Sequence, residues 1–231
     1  MGTIFADLVE IRLEAGERLS GRVRLDRPLR IEPGQYLLAQ PAGDCTVLLQ
    51  PIFVSGGADR QFNLAAPLPP GWLAGARLAL RGPLGCGFRL PPTARKVALA
   101  ALDGCPERLL PLAQRSLAQG GDVTLYGSNH LPERLPLAVE ALPLSQLHQS
   151  LTWADYLALD APLDQLGELP DRLGLTQGQR CPCLAQVLVV TPMPCGGVAE
   201  CGVCAVHTTR GWRLACKDGP VFDLEQLLEG R

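Results

Sequence analysis

The sequence predicts a multi-domain α+β chain: an antiparallel β-barrel, a small parallel α/β layer, and a cysteine-rich C-terminal loop. Three observations carry that expectation. Short alternating segments separated by turn residues fill positions 1–92, a strand–helix–strand pattern follows Pro91-Pro92, and four of the 9 cysteines crowd between Cys195 and Cys216.

The first region reads as strands at Ile4 to Leu13, Arg18 to Leu25, Gln35 to Gln40, Thr46 to Val54, Gln61 to Ala65 and Arg77 to Arg81. Turn signals separate them at Glu14-Ala15-Gly16, Glu32-Pro33-Gly34, Ala42-Gly43-Asp44, Ser55-Gly56-Gly57 and Pro69-Pro70-Gly71. That spacing is the signature of an antiparallel barrel or sandwich. Past Pro91-Pro92, Lys96 to Leu102 is an apolar strand. Pro106 to Gln119 is a helix, opened by Pro and closed by Gly120-Gly121. Asp122 to Tyr126 is the next strand, and the alternation implies a parallel layer. Further on, Trp153 to Leu159 reads as a strand, Leu163 to Leu173 as a helix, Gln186 to Val190 as a last strand, and Asp223 to Leu228 as a short terminal helix. The expected domains are residues 1–92, 93–190 and 191–231.

With 21 Lys+Arg against 23 Asp+Glu, the 231-residue chain has a formal net charge of -2 and no basic patch in sequence, so nucleic acid is not an expected partner. The apolar runs fall far short of a bilayer span, so no membrane is expected either. No secretory signal opens the chain, and the expected location is the cytoplasm. There is no Gly-x-Ser-x-Gly elbow and no His-Glu-x-x-His motif, which leaves hydrolase readings without support. The histidines at 130, 148 and 207 are expected to be solvated or packed.

The cysteines at 195, 201, 204 and 216 are spaced Cys-x5-Cys-x2-Cys-x11-Cys. In a reducing compartment such crowding points to metal ligation rather than disulfides, and the pattern is close to the Cys-x4-Cys-x2-Cys…Cys of plant-type [2Fe–2S] proteins. Gly196, Gly197, Ala199 and Gly202 leave room for backbone N–H groups to approach the sulfurs. Structural zinc is the alternative, with His207 three residues after Cys204. Against it stand the long first gap and the solitary Cys216. Cys181-Pro182-Cys183, Cys45, Cys86 and Cys105 are expected to be packing residues.

The stretch Met193 to Phe222 resembles the cluster loop of the dihydroorotate dehydrogenase electron transfer subunits, in the ferredoxin–NADP reductase-like superfamily. That loop reads roughly Met-x-Cys-Gly-x-Gly-x-Cys-x-x-Cys, then Cys-Lys-Asp-Gly-Pro-Val-Phe, and the last heptapeptide stands here at Cys216 to Phe222. Pro33-Gly34-Gln35-Tyr36 is similar to the family's Pro-Gly-Gln-Phe. Gly82-Pro83-Leu84-Gly85-Cys86-Gly87-Phe88 is similar to its Gly-Pro-Leu-Gly-Asn-Gly-Phe.

The resemblance implies a barrel that holds FAD, a [2Fe–2S] cluster on Cys195, Cys201, Cys204 and Cys216, and electron transfer to a separate catalytic flavoprotein subunit that oxidises dihydroorotate in pyrimidine biosynthesis. A hetero-oligomer follows from it. It assigns flavin contacts to Gln50, Pro51, Ile52, Phe53, Val54 and Ser55, and to Gly82, Pro83, Leu84 and Gly85.

Three departures shape the expectation further. Gln50 stands where the family has an Arg for the FAD pyrophosphate, and the usual Gly-Thr is absent between Gln61 and Arg77, which leaves Arg60 or Arg77 to compensate. The family's glycine run after the first α/β strand is Ala101-Leu102-Asp103-Gly104-Cys105-Pro106-Glu107 here, placing Asp103 and Glu107 where phosphate would sit. Its Cys-Gly-Pro motif is missing, unless Arg180-Cys181-Pro182 is the remnant. NADH in the familiar mode is therefore not expected. The competing reading is a non-enzymatic iron–sulfur relay or structural subunit that has lost NADH and FAD. Glu200 is one extra residue between the first and second ligands.

Overall fold

A computed structural model of the chain describes residues 2–14, 17–43, 48–127, 132, 134–176 and 178–228. Strands β1 (Ile4–Glu14), β2 (Arg18–Leu25), β3 (Tyr36–Pro41), β4 (Gln50–Ala58), β5 (Gln61–Leu64) and β6 (Arg77–Leu84) close an antiparallel barrel in the order β1-β2-β5-β4-β3-β6. Alternation along these strands sends Leu8, Val23, Leu37, Ile52, Val54, Leu64, Leu78 and Leu80 into the barrel core. The tight β4–β5 hairpin requires Gly57, because a Cβ there would meet the Gln61 carbonyl at 2.2 Å. Ala15, Gly16, Cys45, Thr46 and His130, singled out in the sequence, lie outside the described residues.

The second sheet carries β7 (Lys96–Ala101), β8 (Asp122–Gly127), β9 (Val139–Pro143), β10 (Tyr156–Pro162) and β11 (Leu184–Val190), all parallel, in the spatial order β9-β8-β7-β10-β11. The chain enters at β7 and grows outward both ways, which creates a switch point between β7 and β10. Both strands are buried along nearly their whole length, as expected of parallel strands covered on two faces. A 3-10 turn (Pro106–Leu109) leads into α1 (Leu110–Ala118), which ends at Gly120 with φ +74°. The sequence-predicted helix at Pro106 to Gln119 is thus two continuous pieces.

Beyond β8 the sequence expectations need correction. The strand read as Trp153 to Leu159 runs from Tyr156 to Pro162, because the chain is still turning through a 3-10 segment at Leu144–Thr152. The helix read over Leu163 to Leu173 is helical only at α2 (Leu169–Leu173), after a 3-10 turn at Leu163–Glu168. β9 was not anticipated. Nor was structure within the tail, where β12 (Ala205–Thr208) and β13 (Gly211–Leu214) form a hairpin followed by α3 (Ala215–Asp218). Next, β14 (Val221–Asp223) adds antiparallel to β11, and α4 (Leu224–Leu228) ends the described chain.

One continuous apolar core joins the barrel's Tyr36, Leu38 and Phe53 to the sheet and to Met193, Cys204 and Cys216 of the tail. Polar contacts fix the same junctions. Cys86 N–H donates to the Gly219 carbonyl at 2.6 Å. The buried Gln186 accepts from Tyr156 Oη and from Arg89 N–H, and donates to Asp223, each at 2.8 Å.

Candidate functional site

The four clustered cysteines come together through two local devices. Of the eleven residues between Cys204 and Cys216, all but Ala215 form the β12–β13 hairpin, whose register pairs Ala205 with Leu214. Ala215 N–H donates to the Cys204 carbonyl at 2.9 Å, so the two cysteines flank the open end of that hairpin. The x11 spacing is the contour length of a short two-stranded turn. On the other side, a loop of tight turns brings Cys195 Sγ within 3.6 Å of Cys201 Sγ, with Gly196 at φ +52°, Gly197 at +81° and Gly202 at +74°.

The electrostatics of the thiols differ. Cys204 and Cys216 are buried, at 1% and 5% exposure, whereas Cys201 is exposed. Burial pushes the Cys216 thiol up to about 12, and the neighbouring Cys204 and Cys195 sulfurs push in the same direction. Backbone N–H groups, first that of Ala199 and then that of Gly197, hold Cys195 down to about 7. A thiol as reluctant as Cys216 becomes a thiolate when a cation supplies the missing charge. Among the described residues no three His, Cys, Asp or Glu side chains already converge on one metal-ion position. Four cysteine sulfurs, with Cys195 near Cys201 and Cys204 near Cys216, are the donor set that a two-iron cluster takes. His207 does not join them: it is exposed and packs edge-on against Trp212 at 5.1 Å.

The barrel supports this loop directly. A Cβ on Gly196 would meet Leu38 Cδ1 at 2.0 Å and Leu84 Cδ1 at 3.7 Å, so the loop backbone lies on β3 and β6. Gly85, at φ +74°, receives the tail: a Cβ there would meet Pro220 Cδ at 2.4 Å and the Gly219 carbonyl at 2.7 Å. Of the stretch Gly82, Pro83, Leu84 and Gly85, the last two therefore seat the cysteine loop, while Gly82 packs on Leu37.

The residues assigned to flavin on β4 divide by face. Ile52 and Val54 fill the barrel core, whereas Phe53 turns toward the sheet with its ring 6.2 Å from that of Tyr36. Gln50 is exposed and Pro51 half-buried at the strand's start. Ser55 lines a crevice between barrel and α/β layer with Arg12, Ser20, Asn63, Glu107 and Arg134. Glu107 is buried with Oε2 lacking a hydrogen-bond partner among the described residues, and burial raises its carboxyl. The two guanidinium groups, Arg12 and Arg134, are the part of this lining that suits an anionic ligand such as a flavin diphosphate, whereas the Glu107 carboxyl opposes one unless it is protonated. Arg60 and Arg77 do not reach this crevice. They line a groove with Phe5, Asp7 and Arg24 elsewhere on the barrel, Arg77 lying 5.1 Å over the Phe5 ring. Sequence spacing had no means of selecting Arg12 and Arg134 in their place.

At the sheet's switch point the structure shows a second polar cluster. Arg108 and Asp160 are 3% and 0% exposed, with Nε to Oδ2 at 2.7 Å and Nη2 to Oδ1 at 3.2 Å. Arg108 also pairs with Asp103 and donates through Nη1 to the Ala66 carbonyl at 3.1 Å. Asp160-Ala161-Pro162 closes β10 beside that point. Arg180-Cys181-Pro182 precedes β11 at the amino ends of the parallel strands, opposite to the carboxyl ends where the switch point lies, so the suggestion of a remnant motif there is corrected. Cys181 and Cys183 face each other at 3.7 Å, remote in the fold from the tail cysteines.

Comparison with known proteins places this architecture. The model of the iron–sulfur cluster binding domain of dihydroorotate dehydrogenase B matches residues 191–228. Among solved structures, the NADH-dependent reduced ferredoxin-NADP oxidoreductase superposes with a TM-score of 0.75 at 15% identity, covering 96% of this chain and 88% of that one. Phthalate dioxygenase reductase superposes with a TM-score of 0.60 at 11% identity, covering 81% and 68%. These likenesses establish the fold. A Methanopyrus kandleri protein, described as a probable dihydroorotate dehydrogenase B (NAD(+)) electron transfer subunit, is 32% identical over 96% of this chain and 90% of its own length. With barrel, sheet and cysteine tail all spanned by that alignment, the chain belongs to the family of dihydroorotate dehydrogenase B electron transfer subunits.

Proposed function

We infer that this chain is an electron transfer subunit holding a [2Fe–2S] cluster on Cys195, Cys201, Cys204 and Cys216 and FAD along β4, and serving a separate catalytic flavoprotein subunit of the dihydroorotate dehydrogenase kind. The observation that carries the reading is the pairing of Cys204 and Cys216 by a hairpin beside the Cys195–Cys201 pair. When bound, the cluster would carry one electron at a time, and a flavin, which exchanges electrons singly or in pairs, would match it to a two-electron reaction. The protein supplies position and potential. Backbone N–H groups of Ala199 and Gly197 stabilise negative charge on Cys195. The Tyr36 hydroxyl holds the Cys216 carbonyl, and burial of Cys204 and Cys216 keeps water from one side while the Cys201 side faces outward.

For the flavin, Ser55 offers a hydroxyl at the crevice, and Arg12, itself paired with Glu10, and Arg134 bring to its lining the cationic groups that Gln50 does not. Among the described residues no helix is long and apolar enough to cross a membrane. We place the complex in the cytoplasm as a hetero-oligomer in pyrimidine biosynthesis, with residues 1–92, 93–190 and 191–231 as barrel, α/β and cluster domains. The exposed Gln50 favours one second reading, a relay subunit that has given up its flavin.

Iron, sulfide, zinc and flavin content of anaerobically purified protein, with its visible spectrum, decides between them. The expected result is about two iron and two sulfide per chain with one FAD. Iron and sulfide without flavin selects the relay, and a colourless zinc protein overturns both.

A further inference from the structure

In open α/β sheets a dinucleotide binds in the crevice outside the carboxyl ends of the strands at the switch point, its diphosphate held by free backbone N–H groups of a glycine-rich turn and a helix N-terminus. In this chain that position lies past Ala101 of β7 and beside Asp160 of β10. We propose that it is filled from within: Arg108 and Asp160 stand where a dinucleotide would bind, Arg18 clamps the neighbouring Asp103–Cys105 turn to the barrel, and the chain takes no pyridine nucleotide there. The inference rests on the electron-transfer reading and departs from the NAD(+) in the Methanopyrus relative's description.

Several of the donors that a diphosphate would need are spent. Leu102 N–H donates to the Asp160 carbonyl at 2.8 Å, and Cys105 N–H to Asp103 Oδ1 at 2.8 Å. Pro106 has no N–H. Arg108 directs Nε at Asp160, Nη1 at the Ala66 carbonyl and Nη2 at both Asp160 and Asp103, so each guanidinium nitrogen is engaged.

The charge is also wrong. Three carboxyl groups, of Asp103, Glu107 and Asp160, surround the position, and the Arg108 charge is already taken up by Asp103 and Asp160, so it is not left over for an incoming dianion. Nor does the turn stand open. Arg18 of β2 donates from Nη1 to the Asp103 carbonyl at 3.2 Å and from Nη2 to the Gly104 carbonyl, and its Nη1 lies 2.6 Å from Cys105 Sγ. Those bonds fasten the turn after β7 to the barrel and leave Cys105 only 1% exposed. Closure of this kind is a property of the resting chain, because every bond in it is internal.

Two measurements on the full chain test it. The first titrates the as-purified protein with NADH and follows nicotinamide fluorescence for saturable binding. The second maps iodoacetamide alkylation of native protein by mass spectrometry, comparing Cys105 with the exposed Cys86. The expected result is no saturable NADH signal and Cys105 alkylation slower than that of Cys86 by about tenfold or more. Arg18→Ala should speed labelling of Cys105 while leaving Cys86 unchanged. Saturable NADH binding by the unmodified chain overturns the proposal, as does Cys105 labelling at the Cys86 rate, or labelling indifferent to Arg18→Ala. Loss of the electron-transfer reading would show separately, as absent iron and sulfide.

Discussion

The Tyr36 hydroxyl donates to the carbonyl of Cys216 at 3.3 Å, joining the first residue of β3 to a cysteine 180 positions later in the chain. Burial, with the Cys216, Cys204 and Cys195 sulfurs nearby, raises the tyrosine's pKa, so it remains a neutral donor throughout the physiological range. The barrel thereby fixes the backbone that presents Cys216. If Cys216 is a ligand, Cys216→Ser should lower iron and sulfide content sharply, while Cys181→Ser leaves both at the wild-type level. Equal iron in the two variants removes the ligand assignment.

Gly196 is the point where the cysteine loop touches β3. Gly202→Ala places a Cβ at positive φ in open space and should cost about 1–2 kcal/mol from backbone strain alone. Gly196→Ala carries the same strain and also drives a Cβ into the buried Leu38, adding about 1–3 kcal/mol of overpacking. Urea denaturation of both variants, with iron retention measured in parallel, should rank Gly196→Ala as the worse. The reverse order would mean that the loop is not seated on the barrel.

Removing one member of the switch-point pair leaves the other charge buried. Arg108→Ala should destabilise the fold by about 3–5 kcal/mol, whereas the double variant Arg108→Met with Asp160→Leu should recover most of that loss. Burial pulls the Asp160 carboxyl up to about 6 even against its arginine, which shows how far its surroundings disfavour the charge. Denaturant midpoints for the single and double variants give the comparison directly.

Acid acts at a different position. Asp155 accepts the N–H groups of Arg95 and Lys96, both at 3.0 Å, and those bonds hold its carboxyl below the usual 3.8. A depressed folded-state pKa contributes stability that is complete above the unfolded value and is lost as the pH falls through the folded one. The stability difference between wild type and Asp155→Asn should therefore be constant above about pH 5 and shrink below about pH 4. A difference that persists unchanged into acid contradicts the N–H contacts.

The barrel strands are legible in the sequence because alternation and turn residues act over a few positions, and Arg18 to Leu25 begins and ends where β2 does. The iron–sulfur character of the tail was equally legible, since the cysteine intervals are local and residues 191–228 match the iron–sulfur domain. What escaped notice is short or long-range. β9, β12, β13 and β14 are three to five residues each, too brief for periodicity to register against their Pro, Gly and Cys neighbours. The Arg108–Asp160 pair joins positions 52 apart, and nothing near either residue announces the other. From sequence, Asp103 and Glu107 argue against phosphate by their charge. In the structure Asp103 is neutralised by Arg108, and the stronger obstacle is that the place is already taken.

β14 covers the side of β11 that the five parallel strands leave unpaired. Its register, Gln186 with Asp223 through Leu188 with Val221, gives the otherwise bare margin of a parallel sheet an antiparallel selvage drawn from the cysteine tail. Exposed strand margins invite pairing between molecules. A chain cut after Val190 would lose its cluster residues and, at the same stroke, uncover the apolar β11 to its own copies, so self-association rather than a tidy barrel-and-sheet fragment is the expected product. The tail is hem as well as electron conduit.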